Sequence, residues 1–215
     1  MELIATAKSR SLIMSLLKEE KVHKLLQRLR EHHKPTYHHS IRVGIMSAAL
    51  GGPYSLDDDS LRLLGYGGLL HDIGKIDIPG WILDKPGTLG EKELQLLHEH
   101  PRNGHNILAK FSPPEVRNLV VAHHEYKLSS YPRSGDRRAL QRDSSDRRAV
   151  DVSLLSQLIA LSDIYDTLSS ERAYKLALPF FQVKEIMEKQ YTVDHIHLET
   201  LVGLYKQHVF KYHSA

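Results

Sequence analysis

Apolar positions recur along the chain at a spacing near 3.6 residues, the repeat that lays a stripe along one side of a helix. Leu12, Ile13, Leu16 and Leu17, then Val22, Leu25, Leu26 and Leu29, predict one or two amphipathic helices ahead of residue 35. Pro35 suits the first position of a further helix through Tyr37 to Leu50, which Gly51-Gly52-Pro53 ends. Leu56-Asp57-Asp58-Asp59 supplies acidic capping for a helix reaching Ile73. From Gly74 to Gly90, Pro79, Pro86 and further glycines predict a loop. Helices follow over 91–99, 102–111, 113–126, 150–170, 180–190 and 194–210. No β-alternation of useful length and no internal repeat interrupts them, so the expected class is all-α.

One stretch has no such pattern. Residues 127–149, KLSSYPRSGDRRALQRDSSDRRA, are polar and mix six arginines with three aspartates around Pro132 and Gly135. Two readings stand side by side: a solvated surface loop, or a lid whose arginines meet phosphate oxygens through bidentate hydrogen bonds. Loops of this length in compact domains are often functional or disordered.

Composition narrows the chemistry. A length of 215 residues suits one domain, or one domain with a helical arm, and 41% apolar residues are enough for a core. Cysteine is absent, which removes disulfides, thiolate metal sites and thiol nucleophiles. No apolar run approaches the roughly 20 residues of a membrane-spanning helix, and the N-terminus does not read as a secretory signal. A cytoplasmic protein without membrane contact is the expectation. A net charge of +3 is too mild to indicate a DNA or RNA polymer as partner. Histidine is the unusual count, at 15.

Five places gather histidine and aspartate: His38-His39, His71-Asp72, His100, His123-His124 and Asp163. A single histidine on an apolar face is usually a satisfied core residue. Adjacent imidazoles after Leu119-Val120-Val121-Ala122, and an adjacent His-Asp after Leu69-Leu70, fit that reading poorly. They offer nitrogen and oxygen ligands from several helices, the way helical bundles build metal sites. Imidazole and carboxylate without sulfur suit iron, manganese or zinc without choosing among them. Adjacent ligands on one helix diverge by about 100°, so both can serve only a broad site. Two metals roughly 3.5–4 Å apart provide one: a carboxylate bridges, each neighbouring His takes one ion, and a bridging hydroxide attacks a phosphoester.

These residues resemble a known family. His71-Asp72-Ile73-Gly74-Lys75-Ile76-Asp77-Ile78-Pro79 and Ile82-Leu83-Asp84-Lys85-Pro86-Gly87 look like the signature of the HD-GYP branch of HD-domain phosphohydrolases. The likeness continues through His100-Pro101-Arg102-Asn103-Gly104, His123-His124-Glu125 and Ser162-Asp163-Ile164-Tyr165-Asp166 to Arg172 and Lys175. Upstream, Tyr37-His38-His39-Ser40-Ile41-Arg42-Val43 matches the segment bearing the first ligand, and His39 aligns because the family His directly precedes the Ser.

The resemblance implies an all-α HD-domain bundle around a binuclear metal site over residues 35–215, preceded by a helical segment over 1–34. It implies hydrolysis of a cyclic dinucleotide, cyclic di-GMP above all, to linear pGpG or GMP. The implied metal ligands are His39, His71, Asp72, His100, His123, His124 and Asp163, with Asp72 bridging two divalent ions, iron or manganese. Lys75 would face the scissile phosphate, and Tyr131, Arg172 and Lys175 would contact substrate. Residues 1–34 are expected to serve a protein partner or a homodimer slightly more than the core. Three departures from the family pattern stand out. Pro35 replaces the Glu of three-metal members, so two ions are expected. The DGxGYP segment reads Leu128-Ser129-Ser130-Tyr131-Pro132, and the arginine-rich 136–149 replaces a short glycine-containing segment. An HD-family enzyme for mononucleotides or phosphomonoesters, and a non-catalytic module sensing cyclic dinucleotides or docking a protein, are the rival expectations.

Overall fold

A computed structural model describes residues 2–111, 113–124, 152–170, 178–190 and 199–203. The elements are α1 (Glu2–Leu17), α2 (Glu20–His32), α3 (Lys34–Gly51), a 3₁₀ turn (Gly52–Tyr54) and α4 (Asp58–Leu70). A second 3₁₀ turn (Ile73–Asp77), α5 (Gly80–Leu83), α6 (Glu91–His98), α7 (His100–Ile107) and α8 (Glu115–Ala122) follow. α9 (Val152–Ser169) and α10 (Phe180–Gln190) come next, and the described residues 199–203 are helical as well. Among the described residues there is no strand. None of their helices is long and apolar enough to cross a membrane.

Local chemistry sets the helix starts. Asp57 caps α4, its carboxylate accepting from the Ser60 amide at 2.8 Å, as the acidic run predicted. His33 caps α3 by accepting from the Thr36 amide at 3.2 Å, so α3 begins at Lys34 and Pro35 is its second residue. α4 ends three residues earlier than predicted, at Leu70, which releases His71 and Asp72 from the helix. The expected loop over 74–90 also holds more order than its glycines and prolines suggested, in the 3₁₀ turn and α5.

α3 packs along α4, and α9 lies against both; α8 contacts α4 and α9, and α7 contacts α8 and the Ile73–Asp77 turn. Glycine allows two close backbone approaches. A Cβ at Gly68 would stand 2.7 Å from the Gly44 Cα, so α3 and α4 meet backbone to backbone. A Cβ at Gly74 would stand 1.9 Å from the His100 carbonyl oxygen, so the turn after the His-Asp pair sits directly on the start of α7.

The N-terminal helices join this body. Ile13, Leu16, Val22, Leu26 and Leu29 are buried in the same apolar core as Val43, Leu64 and Leu158. Glu19, between α1 and α2, accepts from Tyr66 Oη at 2.7 Å and Arg62 at 2.6 Å. His32 Nε2 donates to the Ile78 carbonyl at 2.7 Å, and the His33 ring meets Asp84 at 3.1 Å. Part of the apolar stripe of residues 12–29 thus packs in the core, while Leu12, Leu17 and Leu25 are only partly buried against it.

Candidate metal centre

Three of the site's histidines are placed by one device. The last four carbonyls of a helix lack intrahelical donors. His71 Nδ1 donates to the Gly68 carbonyl at 2.8 Å, His100 Nδ1 to Leu97 at 2.7 Å, and His123 Nδ1 to Val120 at 2.5 Å. Each ring satisfies a carbonyl in the last turn of the helix it follows, α4, α6 and α8 respectively. A carbonyl only accepts, so Nδ1 carries a hydrogen, and in the neutral ring the opposite nitrogen, Nε2, is the one that can ligate. All three Nε2 atoms point into one buried space.

His39 is set differently. It lies on the buried face of α3, and its Nδ1 donates to Asp166 Oδ2 of α9 at 2.6 Å. Its Nε2 reaches Asp163 Oδ1 at 3.0 Å and His71 Nε2 at 3.2 Å. The neighbouring His38 is exposed, its ring edge-on to Tyr37, whereas His39 is buried at the site.

Two clusters result, His39–His71–Asp163 and His100–His123–His124, each with its ligand atoms within 4.8 Å of one another. Asp72 stands between them. Its Oδ1 lies 3.3 Å from His100 Nε2, and its Oδ2 lies 3.4 Å from His71 Nε2 and 3.7 Å from His39 Nε2. One carboxylate therefore offers one oxygen to each cluster. All seven residues are buried. The structure brings together every predicted metal ligand, although the paired ligands 71-72 and 123-124 lie just past helix ends rather than side by side on a helix.

The electrostatics favour cations here. His100 Nε2 and His123 Nε2 face each other at 3.3 Å. Both are acceptors, and burial drives their protonation down, His100 to about 3 and His123 well below its ordinary value. Two acceptor nitrogens that close repel unless a cation stands between them. Burial would raise the Asp72 carboxyl, but the Lys75 ammonium beside it holds it well below the usual carboxylate range. Burial likewise opposes the charged form of Asp163, and His39 reverses it. Burial opposes His39 protonation too, yet Asp163 and Asp166 push that imidazole up to about 9. In the metal-free protein a proton thus occupies the place between His39 and Asp163. These donors can hold metal ions, and imidazole with carboxylate fits borderline-hard divalent ions.

Lys75 belongs to the same wall. Its Nζ donates to Asp72 Oδ2 at 2.6 Å, one turn beyond the His-Asp pair. Tyr131, Arg172 and Lys175, and the 127–149 segment, lie outside the described residues. Sequence reasoning passed over Asp166 and Arg42. Arg42 donates to both oxygens of Asp166, at 2.7 and 2.8 Å. Their spacing was a usable signal: Arg42 follows His39 by three residues and Asp166 follows Asp163 by three, each on the same helix side as its neighbour.

The fold and the buried His/Asp clusters define an HD-type helical domain, and comparison with known proteins agrees. The HD domain family matches residues 36–168. The chain belongs to the HD domain family. It is 35% identical over 156 residues to a 3'3'-cGAMP-specific phosphodiesterase 3 of Vibrio cholerae, covering 70% of this chain and 31% of that protein. It is 36% identical over 153 residues to a cyclic di-GMP phosphodiesterase of Pseudomonas aeruginosa, covering 70% of this chain and 34% of that protein. The chain thus spans about a third of the length of these relatives. Among solved structures, the phosphodiesterase PgpH HD domain of L. monocytogenes, in complex with cyclic-di-AMP, superposes with a TM-score of 0.60 at 18% identity. That match covers 90% of this chain and 100% of that one, and it shows the shared all-α fold.

Proposed function

We propose that this domain is a two-metal phosphodiesterase for cyclic dinucleotides, with cyclic di-GMP the leading substrate. The observation that carries the proposal is Asp72, whose two oxygens face two separate ligand clusters. The names of the curated relatives support the substrate class, and the resemblance to the HD-GYP signature supports cyclic di-GMP within it. In this reading His39, His71 and Asp163 hold one ion, His100, His123 and His124 the other, and Asp72 both. Iron or manganese is the proposed metal. Bound there, the ions would supply Lewis-acid charge to the attacking and leaving oxygens of an in-line displacement.

The chain's own groups do the rest. Backbone carbonyls hold the rings of His71, His100 and His123, and Asp166 holds that of His39, before any ion arrives, so these four need little reorganisation on binding. Lys75 is half-buried, and its ammonium lies 2.6 Å from Asp72 Oδ2. A phosphate at the centre would compete with Asp72 for it, placing the ammonium on a non-bridging oxygen as charge develops. Tyr131, Arg172 and Lys175 are proposed as substrate contacts farther out. One sequence feature favours a second reading. The glycines of the family's DGxGYP segment are replaced by Leu128-Ser129-Ser130, which restricts the backbone there and would suit a smaller phosphoester. Product analysis separates the two: the metal-loaded protein should convert cyclic di-GMP to pGpG or GMP. Turnover of phosphomonoesters with cyclic di-GMP left intact would support the second reading instead.

A further inference from the structure

The two clusters are not equivalent in charge. The His39–His71–Asp163 cluster has a carboxylate of its own and shares Asp72. The His100–His123–His124 cluster shares Asp72 and is otherwise imidazole. The groups behind the rings differ in the same sense. His71, His100 and His123 lean on neutral carbonyls, whereas His39 leans on a carboxylate, Asp166. The Asp166 side chain is fully buried. Arg42 grips both of its oxygens and Ser170 Oγ donates to Oδ1 at 3.1 Å, which fixes the carboxylate plane with Oδ2 against His39 Nδ1. Thr167 Oγ1 holds Asp163 Oδ1 in the same way at 3.3 Å, four residues on along α9. A carboxylate behind an imidazole orients the ring and strengthens its other nitrogen as a donor.

We infer that the His39–His71–Asp163 position is the tighter of the two and fills first, and that Asp166, held by Arg42, is the positioning residue that makes it so. Arg42 is integral to this, because it occupies the outer lone pairs of Asp166 and leaves one oxygen aimed at His39. The His100–His123–His124 position then fills second, with weaker binding. The inference rests on the two-ion reading proposed above.

Single-ion backgrounds test it without relying on turnover. His124→Ala should retain one ion, at the His39 position, and Asp163→Ala should retain one at the His100 position. Each metal-free protein is titrated with Mn(II), following the free-ion electron paramagnetic resonance signal. Adding Asp166→Asn to His124→Ala should raise the Mn(II) Kd about 10- to 100-fold, the usual loss for an outer-shell partner. Adding it to Asp163→Ala should leave the Kd unchanged. Arg42→Gln should act in the same direction, and it decides the matter if thermal melts show that Asp166→Asn has unfolded the protein. Equal losses in both backgrounds would mean a merely structural role and overturn the inference. Tighter binding in Asp163→Ala than in His124→Ala would reverse the order and overturn it too. Wild-type protein that takes up no Mn(II), Fe(II) or Zn(II) would instead overturn the two-ion reading itself.

Discussion

Alanine at position 74 would place a Cβ 1.9 Å from the His100 carbonyl oxygen and 2.4 Å from the Gly104 amide nitrogen. Both obstacles are backbone, so no side-chain rotation relieves them. The Ile73–Asp77 turn would have to lift from α7 by more than about 1 Å before ordinary contact distances return. Overpacking of this kind costs about 1–3 kcal/mol, and each kcal/mol lowers Tm by about 2–4 °C in a domain of this size. The movement also separates Asp72 from His100, which lie 3.3 Å apart. Gly74→Ala should therefore melt about 2–12 °C lower and lose metal from the three-histidine cluster. Differential scanning calorimetry of the metal-free protein and inductively coupled plasma mass spectrometry of the loaded protein read the two effects separately. Gly80→Ala is the matched control, since a Cβ there meets nothing within 4 Å. Wild-type melting and full metal content in Gly74→Ala would refute the packing argument.

Other perturbations have equally definite expectations. Asp72→Ala should strip both ions and all activity, because its oxygens face both clusters; retention of one full equivalent by elemental analysis would contradict bridging. Lys75→Ala should keep the metals and lower kcat by about 10²–10³, the scale for one electrostatic stabiliser. Unchanged kcat with raised KM would make Lys75 a ground-state binding group. Metal uptake near neutral pH should release a proton from His39, whose pKa stands near 9 in the metal-free protein. Calorimetry in buffers of different ionisation enthalpy measures that release. By the same linkage, His39 stabilises the metal-free fold fully below its ordinary value of 6.5 and loses that contribution as pH rises through about 9. Replacing 136–149 by a few glycines should raise KM for cyclic di-GMP and reduce its salt dependence, with metal content unchanged. Equal kinetics in the two proteins would leave those arginines as solvated surface.

Much of the centre was legible because its signals are local. Adjacent His-Asp and His-His pairs after apolar runs announce themselves within a few residues, and the acidic run at Asp57 marked the start of α4. What escaped the sequence depends on contacts between distant segments. Asp166 meets His39 across 127 residues, so nothing near either residue states the pairing. The early end of α4 is set by tertiary packing as well: Gly74 docks on α7 and His71 turns back to the Gly68 carbonyl. A 3.6-residue repeat runs on past that point because Ile73 is apolar and fully buried in the turn. Residues 12–29 show a further ambiguity, since an amphipathic stripe looks alike whether it covers a core or a partner. Here Leu16 and Leu26 lie in the core, while Leu12 and Leu25 are only partly buried.

The central claim, a two-metal centre that cleaves cyclic dinucleotides, is tested most directly by one paired measurement on purified protein. Metal content is determined on the sample used for chromatography of products from cyclic di-GMP, before and after chelation and reloading with Fe(II) or Mn(II). About two ions per chain are expected, with production of pGpG or GMP by the loaded protein, loss of product on chelation and its return on reloading. Fully loaded protein that leaves both cyclic di-GMP and cyclic GMP-AMP intact, or product formation that survives complete metal removal, would contradict it.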